Sequence, residues 1–269
     1  MTAIALTIAG SDSSGGAGIQ ADLKSFSALG AYGASVITAL TAQNTQGVQG
    51  VFAVPPDFVS AQIDSVFSDL SVRAVKVGML ATSDVIRAVA AGLDRWAAQA
   101  VVLDPVMVAQ SGDPLIADEA VETLKAVLMP RAILITPNLP EAARLTGLSM
   151  AESEDAMILQ GRALMASGAQ AVLMKGGHAS GPESVDLLIT ASGIVRLVAP
   201  RSSTRNTHGT GCSLSSAIAA HLARGFALEE AVERSKVWLS AAIAKADTLS
   251  IGHGAGPVHH FHALWDQLS

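Results

Sequence analysis

Short apolar runs rich in valine and isoleucine alternate with longer, alanine-rich stretches along the whole chain. Runs of strand length fall at 4–9, 35–41, 74–77, 101–103, 133–136, 171–174, 185–190 and 194–198. Most are apolar at successive positions, the pattern of strands that are covered on both faces. Between them, segments at about 17–29, 56–69, 83–97, 117–128, 139–146, 152–167, 211–223 and 228–248 have the length and spacing of helices. Pro56 or Asp57 suits one helix start, and Glu152 or Ser153 another. This alternation predicts an α/β fold of three layers, α/β/α, with a mostly parallel central sheet and right-handed crossovers. Ala191-Ser192-Gly193 separates the last two runs, a spacing that predicts an antiparallel hairpin at one edge of the sheet. With no linker, repeat or low-complexity segment in view, residues 1–269 read as a single domain.

Composition narrows the function classes. Of 269 residues, 50% are apolar, 15% charged and 4% aromatic, which excludes disordered, collagen-like and coiled-coil chains. The net charge of −6 comes with no basic block, so neither nucleic acid nor a membrane surface is an expected partner. No apolar run reaches the length of a membrane span. The apolar start lacks a basic leader and reads as a buried first strand. A lone Cys212 forms neither an internal disulfide nor a thiolate metal cage. Together these predict a soluble, cytoplasmic protein.

In such sheets ligands bind beyond the carboxyl ends of the strands, and there the chain turns glycine-rich or polar: 10–18, 43–47, Gly78, 104–113, 137–141 and 175–181. Asn206-Thr207-His208-Gly209-Thr210-Gly211-Cys212-Ser213 runs into a helical stretch. Two glycines ahead of a helix let bare amides and the helix dipole converge on a phosphate; the same segment also suits an ordinary capped turn. A helix N-terminus can lower the Cys212 thiol pKa to make a base, whereas a lone cysteine is also a common small buried hydrophobe. The loop from Gly10 to Gly18 lacks the third glycine of a dinucleotide fingerprint and suits close backbone approach to a small polar substrate, or a plain turn. Asp104, and Asn138 with Glu141, offer hard oxygen ligands for Mg²⁺; taken singly, Asp104 reads better as a helix cap and Glu141 as a first-turn partner of the helix dipole. Lys175, before Gly176-Gly177-His178, is placed either to neutralise polyphosphate or to sit solvated in its loop. The tail His259-His260-Phe261-His262 looks like a metal tract but reads better as packing.

Taken in order, these segments resemble the ribokinase-like kinases, and among them the hydroxymethylpyrimidine/phosphomethylpyrimidine kinases of thiamine biosynthesis. The resemblance is carried by Ala9-Gly10-Ser11-Asp12 through Lys24, Thr38 to Thr45, Val77-Gly78-Met79-Leu80, Asp104-Pro105-Val106-Met107, Asn138-Leu139-Pro140-Glu141, Met174 to His178, Asn206 to Cys212 and Gly256 to His262. It implies that Gln43 meets an aminopyrimidine, with Gly10, Asp22, Met79 and Val106 completing the pocket. It implies an anion hole of Gly209, Thr210, Gly211 and Cys212, with Cys212 where sugar kinases carry an aspartate base. Asp104, Asn138, Glu141 and Lys175 would handle ATP and Mg²⁺, with Asp104 and Glu141 toward the metal, and the relatives imply a homodimer. Pyridoxal kinase, on the same scaffold, is the nearest alternative; a non-catalytic pyrimidine-binding module is the other.

Overall fold

The computed structural model describes residues 1–108, 112, 115–177 and 181–265. His178 and most of the 109–114 stretch lie outside the described residues. Among the described residues ten strands are present: β1 (Ile4–Ala9), β2 (Tyr32–Ile37), β3 (Ala39–Asn44), β4 (Gly47–Ala53), β5 (Ala74–Val77), β6 (Val101–Leu103), β7 (Leu134–Ile135), β8 (Val172–Lys175), β9 (Glu183–Ile189) and β10 (Ile194–Pro200). Eight of them form one sheet in the order β10-β9-β8-β7-β6-β5-β1-β2. From β2 to β8 every pairing is parallel, and β9–β10 adds the expected antiparallel hairpin at the far edge.

The apolar runs divide their side chains between two cores because a strand's side chains alternate. Leu6, Ile8, Val75, Val77, Val101 and Leu103 join one cluster, while Ala5, Ala74, Val102 and Leu173 join the other. Helices α2 (Pro56–Phe67), α3 (Ser83–Arg95), α4 (Asp118–Thr123), α5 (Leu139–Thr146) and α6 (Glu154–Ala166) contribute to the first core, and α1 (Gly18–Ala28), α7 (Thr210–Ala223) and α8 (Leu228–Ala244) to the second. A short α9 (His262–Trp265) follows. Pro56 opens α2, and Ser153 caps α6 by accepting from the Ala156 amide at 3.2 Å.

Two sequence expectations need correction. The run 35–41 is not one strand. The chain leaves the main sheet at Thr38, whose hydroxyl donates to the Met79 carbonyl at 2.8 Å, and β3 then pairs with β4 in a separate two-stranded sheet. β4 is exposed along most of its length and carries Gly47, Gln49 and Gly50, so it lacks the apolar pattern of a covered strand. The helix expected over 117–128 changes winding: α4 passes into a π-helical turn at Leu124–Leu128 and a 3₁₀ turn at Met129–Arg131.

The histidine tail packs inward. His259 and His260 are buried, and His260 Nε2 lies 2.9 Å from Ser213 Oγ in the first turn of α7. Burial, helped by the Lys24 charge, pushes His260 down to about 3, so the folded chain holds it neutral. An unfolded histidine takes up its proton near pH 6.5, so this group removes stability as the pH falls from there toward its folded value. His260→Gln keeps a polar partner for Ser213 without a proton to take up. Denaturant titrations between pH 6.5 and 4 are expected to show a stability slope shallower than that of the parent by about 1.4 kcal/mol per pH unit; equal slopes would contradict the assignment.

Candidate active site

A cleft of about 1030 Å³ opens where β1, β5, β6 and β8 end. Its lining includes Gly10, Gln43, Met79 and Val106, then Asp104, Glu141, Lys175 and the start of α7, and the apolar Ala199, Pro200, Leu239 and Ile243. The side chains that the sequence placed around a substrate, a metal and an anion therefore share one cavity, except Asp22.

The start of α7 depends on Gly209, which adopts φ +75°. A Cβ there would lie 1.9 Å from the Gly16 carbonyl oxygen, so only glycine lets this turn press against the loop after β1. The Thr210 amide donates to the Thr207 carbonyl at 3.3 Å and Ser213 to the Gly209 carbonyl at 2.8 Å. Among the described residues, no backbone partner is recorded for the amides of Gly211 and Cys212 between them, as in the first turn of any helix. They open onto the cleft beside two charges, since a Cβ on Gly211 would sit 3.2 Å from Lys175 Nζ and 3.7 Å from Asp104 Oδ2.

Lys175 Nζ donates to Asp104 Oδ1 at 2.9 Å and lies 3.9 Å from Glu141 Oε2. Burial works against charge on both Asp104 and Lys175; their attraction wins, holding the carboxyl below and the ammonium above their ordinary ranges. Glu141 is different. Burial pushes it up to about 7, with Lys175 opposing and Asp104 adding to the rise. It also closes a capping box: its carboxylate accepts from the Asn138 amide, and Asn138 Oδ1 accepts from the Glu141 amide, both at 2.8 Å. Asn138 thus serves the cleft by fixing the start of α5.

Cys212 departs from the sequence expectation. A helix N-terminus alone would lower its pKa, but burial pushes the thiol up to about 11. Lys76 and a hydrogen bond from the Gly18 amide oppose that rise, while the Asp22 and Asp104 charges reinforce it. The thiol is therefore protonated at neutral pH.

Asp22, expected in the substrate pocket, lies beneath it and does not line the cleft. Its fully buried carboxylate accepts from Lys76 Nζ at 2.8 and 2.9 Å, Thr7 Oγ1 at 2.6 Å and Ser216 Oγ at 2.6 Å. Lys76 is the residue sequence reasoning missed. It stands inside β5, an apolar run, with its side chain turned into the second core and its head at the cleft floor. Also missed were the buried Lys236–Asp186 pair at 2.7 Å, with Asp186 accepting from the Gly176 amide at 2.9 Å, and the Asp12–His208 pair at 2.8 Å.

Unpaired amides, a buried lysine and two carboxylates beyond the strand ends of a parallel sheet define a small-molecule phosphotransferase of the ribokinase-like class. More particularly, the chain belongs to the phosphomethylpyrimidine kinase family, whose model matches residues 12–259. It is 60% identical over 261 residues to the hydroxymethylpyrimidine/phosphomethylpyrimidine kinase of Salmonella typhimurium, covering 97% of this chain and 98% of that one. Its fold is similar to the phosphomethylpyrimidine kinase of Clostridium difficile (TM-score 0.79, 45% identity, 89% of this chain and 99% of that one). It is also similar to the pyridoxal kinase of Staphylococcus aureus in complex with AMP-PCP and pyridoxal (TM-score 0.90, 32% identity, 98% of this chain and 95% of that one). The chain is a kinase.

If Asp22 anchors Lys76 rather than touching substrate, Asp22→Ala leaves an uncompensated buried charge. The expected loss is about 3–5 kcal/mol of folding stability, read by urea unfolding. A variant of parental stability with a raised acceptor KM would return Asp22 to the pocket.

Proposed function

We propose that the chain transfers the γ-phosphoryl group of ATP to the hydroxymethyl group of 4-amino-5-hydroxymethyl-2-methylpyrimidine, and then to the resulting monophosphate to give the diphosphate used for thiamine diphosphate. The observation that carries this reading is the cleft itself. One lining holds the Gln43 amide, the apolar side chains of Leu239 and Ile243, the start of α7 and Lys175, with Lys175 Nζ beside Gly211. The apolar side chains suit a flat purine, the Gln43 amide suits an aminopyrimidine edge, and Lys175 with the α7 amides suits the phosphoryl group in flight. One domain spanning 1–269 supplies every part of this site.

Phosphoryl transfer needs positioning and charge neutralisation more than covalent participation. Gly10, Met79 and Val106 border the acceptor, Gln43 orients it, and the amides of Gly211 and Cys212 face the oxygens of the transferring group, the Thr210 amide being engaged by the Thr207 carbonyl. Lys175 stands beside them with a cationic head. A divalent cation fits the donor set, because Glu141 is a buried carboxylate that Lys175 only partly neutralises. Among the described residues no group of three His, Cys, Asp or Glu could hold a metal, so Mg²⁺ would be held by Glu141 and Asp104 together with water and phosphate oxygens. Bound there, it would neutralise phosphate charge.

Pyridoxal kinase remains the second reading, supported by the similarity to the S. aureus enzyme. Gln43 favours the pyrimidine, since an amide offers a donor and an acceptor side by side. No helix in the described residues is long and apolar enough to cross a membrane. Leu40 and Phe52, paired across the β3–β4 hairpin and 46% and 66% exposed, offer an apolar face suited to a second copy of the chain in a homodimer.

Mass spectrometry after incubation with Mg·ATP and the pyrimidine alcohol is expected to detect the monophosphate and then the diphosphate; phosphate on pyridoxal alone would select the second reading. Cys212 is assigned the hydroxyl proton, accepted by its thiolate form. Because its pKa lies at about 11, the competent fraction grows with pH, and kcat is expected to rise tenfold per unit through the neutral range. Cys212→Ala is expected to lower kcat by roughly 10²–10⁴ and to abolish that rise. Near-parental turnover in the variant would leave this position its backbone amide only.

A further inference from the structure

We propose that Asp186, held by Lys236, is a positioning residue for the nucleotide: it fixes the backbone immediately after Lys175 and so sets where the Lys175 ammonium stands. This rests on the reading above that Lys175 meets the transferring phosphate. Lys175 is the last residue of β8, and its own amide donates to the Pro137 carbonyl at 2.9 Å, which ties it to the chain leaving β7. On its other side β9 runs antiparallel, with Asp186 opposite Lys175. The Gly176 amide donates to Asp186 Oδ1 at 2.9 Å, and both residues are buried. A Cβ on Gly176 would lie 1.9 Å from the Val185 carbonyl oxygen, so only glycine brings the chain this close to β9.

Asp186 breaks the pattern of its strand. Leu187, Leu188 and Ile189 follow it as a buried apolar run, and Leu188, on the same face, joins the second core. The other carboxylate oxygen, Oδ2, accepts from Lys236 Nζ of α8 at 2.7 Å, and the same ammonium donates to Ser184 Oγ at 3.2 Å. A buried ion pair is a weak device for holding α8 on the sheet, because well-packed apolar residues of similar volume serve as well or better. What apolar residues cannot supply is an acceptor for the Gly176 amide. With Oδ2 tied to Lys236, the carboxylate is kept from rotating and Oδ1 stays on that amide.

The Lys175 head has little slack to absorb a shift of its backbone. Its Nζ lies 2.9 Å from Asp104 Oδ1 and 3.9 Å from Glu141 Oε2, and a Cβ on Gly211 would sit 3.2 Å from it. A backbone displacement of about 1 Å after residue 175 would carry the ammonium off this position, and misplacements of that size cost about 10²-fold in rate.

The test replaces the ion pair in two ways. Asp186→Leu with Lys236→Met removes the acceptor, whereas Asp186→Asn with Lys236→Gln keeps an uncharged oxygen for Gly176 and an amide to brace it. Steady-state kinetics and calorimetric binding of AMP-PCP with Mg²⁺ are measured on both. The first pair is expected to weaken nucleotide binding and raise the ATP KM by about 10–100-fold with the acceptor KM unchanged, and the second to recover most of that loss. Should the first pair fail to fold, Asp186→Glu keeps the charge but displaces the acceptor by one methylene, and is expected to raise the ATP KM about tenfold. Parental nucleotide binding in whichever disruptive variant folds overturns the proposal. So does an equal loss in both pairs, which would assign the effect to the Lys236 charge. On a Lys175→Met background the disruptive variant is expected to add no further loss, since it acts through Lys175; additive losses overturn the proposal and leave the kinase reading standing. A Lys175→Met chain that binds nucleotide and turns over as the parent does overturns instead the reading of Lys175 on which the proposal rests.

Discussion

The left-handed turn at Gly209 brings together parts of the chain that are almost two hundred residues apart. By seating on the Gly16 carbonyl, it lets α7 begin against the loop after β1, and both line one cleft. Asp12 organises that loop from within and reaches His208, one residue before the turn. The loop after β1 and the start of α7 are therefore parts of one joint. A side chain at 209 would force the two apart, and the amides of Gly211 and Cys212 would lose their place beside Lys175.

Charge is layered beneath this joint. Lys76 and Asp22 neutralise one another under the floor, bridging β5 and α1, while Ser216 ties α7 to the same carboxylate. Above them, Lys175 and Asp104 form a second pair at the cleft surface, with Glu141 only partly compensated beside it. A buried pair stabilises little by itself, since desolvation offsets most of the attraction. What the lower pair does is hold the Lys76 ammonium in place near Cys212, where its charge opposes that of its own partner Asp22.

Much of this could be read along the chain, and the exceptions have physical causes. The parallel strands were legible because two cores demand apolar residues on both faces. Lys175, Glu141 and the 206–213 segment were legible because they lie at or after strand ends of the main sheet, whereas Gln43 reaches the same cleft from within β3 of the separate two-stranded sheet. The break at Thr38 was not, because its partners are the Ala9 and Met79 carbonyls, contacts that the run 35–41 does not encode. Lys76 inside β5 looks like an interruption of an apolar run until Asp22, 54 residues earlier, is set beside it. The rise of the Cys212 pKa was not legible, because a helix N-terminus is visible in the local sequence and burial beside Asp22 and Asp104 is not.

That last point bears on why a thiol suits this position, where the resemblance to sugar kinases would place an aspartate. Asp22 and Asp104 already set negative charge around residue 212, and both act to raise its pKa. A third carboxylate would meet an incoming polyphosphate with like charge. A thiol held near 11 is neutral at ordinary pH, so it would add no repulsion to phosphates at the α7 amides and Lys175 as proposed above. Its charge, when it forms, lies near Lys76 and under the Gly18 amide. The raised pKa keeps the thiol a strong base once ionised, at the expense of the ionised fraction, the trade that Brønsted behaviour imposes on any proton acceptor.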